Sequence, residues 1–176
     1  MEYIVFRILR LMDREISVYQ KLFSCADTQN KLILDDDLVD LMVIMVKQKE
    51  LIDQVTLIEN EITEEVNELG RTLSDSGSAQ TSFAMSDIFG LLQKKHSKLT
   101  ELLKDKCNIL NLLIDRINFL NSQNIESLQQ CQNTSHSDSW KGLQFSNGQE
   151  FSEELINFDM DFINTNETVL EKLRPQ

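Results

Sequence analysis

Three observations predict an all-α fold: an elongated antiparallel three-helix bundle or coiled coil followed by a flexible acidic C-terminal tail. Apolar residues recur at steps of three and four over three long stretches, the signature of helices with one packed face. Pro occurs once, at Pro175, and Gly only 5 times in 176 residues, so little in the chain breaks a helix. Apolar residues make up 41% and charged residues 26%, a balance that can supply a core in a chain of this length. The predicted layout is a bundle over residues 1–133, with helices at about 2–30, 36–73 and 86–132, and a tail over 134–176.

The first helix carries Val5, Ile8, Met12, Tyr19, Leu22 and Ala26 on one stripe, broken only at Glu15 and widened by Leu9, Ile16 and Phe23. A polar run from Asp27 to Asn30 loosens the pattern, and Asp35, Asp36 and Asp37 offer N-caps and favourable charge for the next helix. The second helix fits a seam at Leu38, Leu41, Met45, Gln48, Ile52, Val55, Glu59, Ile62, Val66, Leu69 and Leu73, with only Gln48 and Glu59 polar. It stops where Ser76, Gly77 and Ser78 fit no helix interior. The third restarts at Ser86 or Asp87, with Gly90 as an early weak point, and carries Leu92, Leu99, Leu103, Leu110, Leu113, Ile117, Leu120 and Leu128. At ~1.5 Å per residue these are rods of about 45, 57 and 68 Å, joined antiparallel by short connections. The third helix is therefore expected to overhang the first, leaving Ile117, Leu120, Ile125 and Leu128 short of neighbours, as a docking seam or a dimer interface. From Asn133 the texture turns polar, and Phe151, Leu155, Ile156, Phe158, Phe162 and Ile163 are then interleaved with acids, which suits a short amphipathic element that docks on the bundle or a partner.

The net charge of −12 is uneven: +1 over residues 1–34, −8 over 35–73, 0 over 74–133 and −5 over 134–176. Nucleic acid is excluded as a partner, because binding it needs a basic footprint. Arg7, Arg10, Asp13 and Arg14 interrupt the N-terminal apolar residues, so no signal-peptide core is expected, and no stretch approaches the ~20 apolar residues of a membrane span. Three Cys residues, Cys25, Cys107 and Cys131, lack metal-ligand spacing and suit a reducing, cytoplasmic setting. Catalysis has little to draw on. His96 sits on the third stripe as a bundle-edge residue, and His136 lies in the polar tail. The carboxylates of the second helix have no His-rich face beside them, which disfavours a di-metal bundle, so neither enzymatic activity nor a cofactor is expected.

Short motifs add a resemblance. Asp36-Asp37-Leu38, then Lys49-Glu50-Leu51-Ile52 with Val55, Ile58 and Glu59, resemble the second helix of FlgN-type flagellar export chaperones. Asn111-Leu112-Leu113-Ile114, followed by Ile117, Leu120 and Leu128, resembles the third helix of that family, and Phe145-Ser146-Asn147-Gly148-Gln149 resembles the aromatic-to-Gly-Gln element that opens its tail. The resemblance spans about residues 2–149. It implies a chaperone that binds the C-terminal helices of hook-filament junction (hook-associated) proteins, keeps them unassembled, and delivers them to an export gate component. It places client binding at Ile114, Ile117, Leu120, Ile125 and Leu128, and gate contact at Trp140 or Phe145. The chain itself is expected as a monomer or weak homodimer. A coiled-coil scaffold that oligomerises through the same seam, or a chaperone of a related type III secretion system, are the competing readings.

Overall fold

The computed structural model describes residues 1–74, 82–93, 96–133 and 156–164, with the backbone alone at 131–133. Five helices are present among them: α1 (Glu2–Leu34), α2 (Leu38–Leu73), α3 (Met85–Gln93), α4 (Ser97–Asn133) and α5 (residues 156–164). The all-α bundle expected from the apolar periodicity is what the chain forms.

α1 is the centre of the bundle. It buries Val5, Ile8, Met12, Tyr19, Leu22 and Ala26, as the stripe predicts, and it packs along both α2 and α4. Arg7 pairs with Glu65, and Arg14 Nη1 donates to Glu61 Oε2 at 3.2 Å, so α1 and α2 run antiparallel with the basic side of one against the acidic side of the other. Lys106 Nζ donates to Asp13 at 2.5 Å and Asn30 Nδ2 to Asn124 Oδ1 at 2.9 Å; these offsets of 93 and 94 residues place α4 parallel to α1. α2 and α4 make little direct contact with one another, and α3 bridges them at the end where α1 begins.

The turn at 35–37 is built from its three aspartates. Asp36 takes φ 57°, in the left-handed region that Asp tolerates better than most side chains. Asp37 N–H donates to Leu32 O at 3.0 Å and Asp36 N–H to Ile33 O at 3.4 Å, the double closure that satisfies the last carbonyls of a helix. The Asp37 carboxylate then accepts from Asp40 N–H at 3.2 Å and caps α2.

Two details depart from the sequence expectation. The seam of α2 is centred on Leu51 and Ile58, both buried, while Ile52 packs half-buried at its edge and Glu59 is half-buried. The expected third helix of 86–132 is two helices, α3 of 9 residues and α4 of 37, with the polar run Lys94-Lys95-His96 between them in the sequence. α1 and α4 have nearly equal lengths, 33 and 37 residues, and their register sets Ile117, Leu120 and Ile125 alongside α1, so only the last turn of α4 passes the end of α1 and the long overhang expected from Ile117 onward does not form.

The core is one long cluster along α1, α2, α3 and α4, with a smaller cluster of Ile33, Leu41 and Leu128 where α1 ends and α2 begins. α5 reaches both, through Phe162 in the first and Ile156 against the second.

Candidate functional site

The end of the bundle that carries Leu128 differs chemically from the rest. Along most of α1 the core is apolar, but around its last two turns the buried side chains include Gln29 and, from other helices, Gln48, Asn121, Asn124 and Asp159. Gln48 Nε2 donates to Gln29 Oε1 at 2.9 Å, and Gln29 Nε2 donates in turn to Asp159 Oδ2 at 2.9 Å. Asn124 Nδ2 donates to the Ala26 carbonyl at 3.2 Å while its oxygen accepts from Asn30. These bonds tie α2, α1 and α5 into one ladder, and α1 and α4 into another.

α5 lies on this surface with Ile156, Asp159 and Phe162 inward, at three-residue spacing on one helical face. Ile156 joins the cluster of Ile33, Leu41 and Leu128, Asp159 meets Gln29, and Phe162 enters the main core. The direction follows from those contacts: α5 runs antiparallel to α1 and parallel to α2, so this end is a local four-helix arrangement. Asn157, Met160, Asp161 and Asn164 are exposed.

Of the residues expected to bind a client, Ile114 and Ile117 are fully buried, at 0% and 1%, in the core they share with α1. Leu120 is half-buried, and Ile125 and Leu128 are buried. Leu128 lies beneath the first turn of α2 and beside Ile156, which explains why an apolar residue near the end of α4 is not solvated. Trp140 and Phe145 lie outside the described residues.

Periodicity in the sequence did not single out a second set of apolar residues, which is exposed: Val39, Met42, Val43 and Val46 on α2, and Ile109, Leu112 and Phe119 on α4. Their three-, four- and seven-residue spacing was the available signal, masked because the inward stripes use the same residue types.

At the other end, Met12, Glu15, Glu59, Ile62, Val66 and Phe83 line a pocket of about 310 Å³. Glu15 is buried, and burial first and the charge of Glu59 second push its carboxyl up to about 8. The same two causes, with Glu15 added, raise the Tyr19 hydroxyl. Burial also raises the thiols of Cys25 and Cys107, the latter to about 12, so both are held as protonated, unreactive side chains. Among the described residues no group of three or more His, Cys, Asp or Glu side chains could hold a metal ion. No helix there is long and apolar enough to cross a membrane.

With this geometry in hand, comparison with known proteins is decisive at one point: the family model described as FlgN protein matches residues 1–138, from the start of α1 to beyond the end of α4. The chain belongs to the FlgN family. No curated protein and no solved structure matches it. As a FlgN protein it is a flagellar export chaperone, and the aspartate turn and the α2 and α4 segments that resemble the family all lie inside the matched span. α5 lies beyond the FlgN match, on the surface that α1, α2 and α4 build within it.

Proposed function

We propose that the chain binds the C-terminal helices of hook-filament junction proteins in the cytoplasm, keeps them from assembling or aggregating, and hands them to the export gate. One observation carries the reading beyond the family: the Leu128 end of the bundle accepts an amphipathic helix, since α5 sits there with Ile156 and Phe162 inserted. A client helix with one apolar face needs such a surface while it waits for export.

Client contact falls to Leu120, Ile125 and Leu128, while Ile114 and Ile117 support them from the core behind. Trp140 and Phe145 are assigned to the gate. The net charge of −12 keeps a carrier of apolar cargo soluble and off anionic surfaces. Release requires a few anchors rather than a large permanent interface, which the small apolar cluster at this end supplies.

Co-expression with a hook-filament junction protein tests the assignment. Leu120→Ala and Leu128→Ala should each lower captured client about tenfold, the effect of losing one apolar anchor worth ~1.4 kcal/mol, with helicity retained. Trp140→Ala and Phe145→Ala should leave capture intact and reduce client secretion. Undiminished capture by both leucine variants would remove the client from this surface, and loss of capture in the aromatic variants would remove the separate gate role.

A further inference from the structure

We infer that α5 is a reversible plug, which holds the helix-docking surface in the resting chain and yields it to an incoming helix that presents a hydrogen-bond acceptor between two apolar anchors. The identity of that incoming helix as a client rests on the proposed function; the competition for the surface does not.

The selectivity comes from how Gln29 is held. Its side chain is fully buried, and its oxygen is already engaged by the Gln48 amide. Its NH2 group faces α5 and donates to Asp159. A side chain opposite Gln29 must therefore accept a hydrogen bond, as a carboxylate or an amide oxygen does; a Lys there would bury a charge against a donor. Ile156 and Phe162, one turn to either side of Asp159, set the spacing of the anchors. The recognised pattern is apolar, acceptor and aromatic at successive three-residue steps.

Reversibility comes from the same residue. Asp159 is fully buried, yet its Oδ1 finds no hydrogen-bond partner, while its Oδ2 has only the Gln29 amide. A carboxyl buried with one oxygen unmet weakens the contact it sits in, and an acceptor there with all its polar atoms satisfied would hold α5 more firmly. Tethering offsets that weakness. Residues 134–155 join α5 to α4, so docking is intramolecular and draws on a high effective concentration without needing a strong interface. A free helix with better-matched contacts can then take the surface.

The test uses the full chain and, as probe, a fluorescently labelled peptide of residues 150–168. The wild-type chain should bind it weakly, because its own α5 competes. Phe162→Asp in the chain should tighten peptide binding about tenfold or more, the factor expected when a binding-competent state rises from a tenth or less of the population. Ile156→Asp, at a half-buried position, should do the same and carries the test if Phe162→Asp lowers stability. Adding Gln29→Leu to either variant should abolish the gain. A peptide with Asp159→Asn should still bind, and one with Asp159→Lys should not. Equal affinity for wild-type and Ile156→Asp chains, or undiminished binding of the Lys peptide, would overturn the plug. The C-terminal helical segment of a hook-filament junction protein serves as competitor. If that segment binds without displacing the peptide, the plug falls and the export reading stands. If it does not bind at all, the export reading falls, and the peptide titration still decides the plug.

Discussion

Glu15 shows how a single residue can look wrong for its place and yet be in register. The three- and four-residue steps of α1 lead straight through position 15, but a carboxyl there reads as a break in the stripe. In the fold it is 2% exposed, held neutral by burial and by the nearby Glu59. Period decides which face a residue takes; protonation decides whether a carboxyl can stay there. The same holds for Gln48, polar on a buried seam because Gln29 meets it. No pattern in the sequence pairs these residues, since α1 and α2 come into register only through the fold. The consequence for Glu15 has a sign. Its folded value, about 8, lies above its ordinary 4.5, so the stability it contributes is fully present below about 4.5 and is lost as pH rises through about 8. Glu15→Gln should therefore melt several degrees above wild type at pH 8 and at the same temperature near pH 4, by thermal unfolding followed with circular dichroism. Parallel melting curves at both pH values would mean that Glu15 is not buried as a neutral acid.

At the scale of elements, α1 and α2 are legible because each carries nine or more apolar residues at helical steps and the three aspartates between them mark a turn. The third stretch is misread as one rod, since its two pieces have apolar stripes of the same type and only the Lys-Lys-His-Ser run at 94–97 separates them. What fixes α3 in place is a contact no pattern announces. Phe83 packs flat on Gly70 of α2, where an added Cβ would lie 2.3 Å from the ring, and Phe83 N–H donates to the Asn67 side chain at 2.8 Å. Gly70→Ala should gain ~1 kcal/mol of helix propensity but lose more by forcing Phe83 out. A net destabilisation of roughly 1–3 kcal/mol is expected from urea unfolding. A more stable variant would mean that Phe83 is not seated on the glycine.

Among the described residues the molecule is a central helix flanked by two others that scarcely touch, with short helices closing the bundle near each end: α3 where α1 begins and α5 where it finishes. The fold class and the family were both legible, the first from periodicity and the second from the aspartate turn and the α2 and α4 motifs. The position of the docking surface was legible only in part. Leu128 lies where α5 packs, but the overhang expected from Ile117 onward does not occur, because α4 runs alongside α1 up to about Leu128. The place of α5 was hidden because a helix of nine residues owes its stability to docking rather than to its own propensity. Central to the account is that this end holds a partner's helix. Calorimetric titration of the full chain with the C-terminal helical segment of a hook-filament junction protein tests that most directly. The account predicts saturable binding with a negative heat-capacity change, weakened about tenfold by Leu128→Ala. No binding by the folded chain at segment concentrations up to about 100 μM would contradict it.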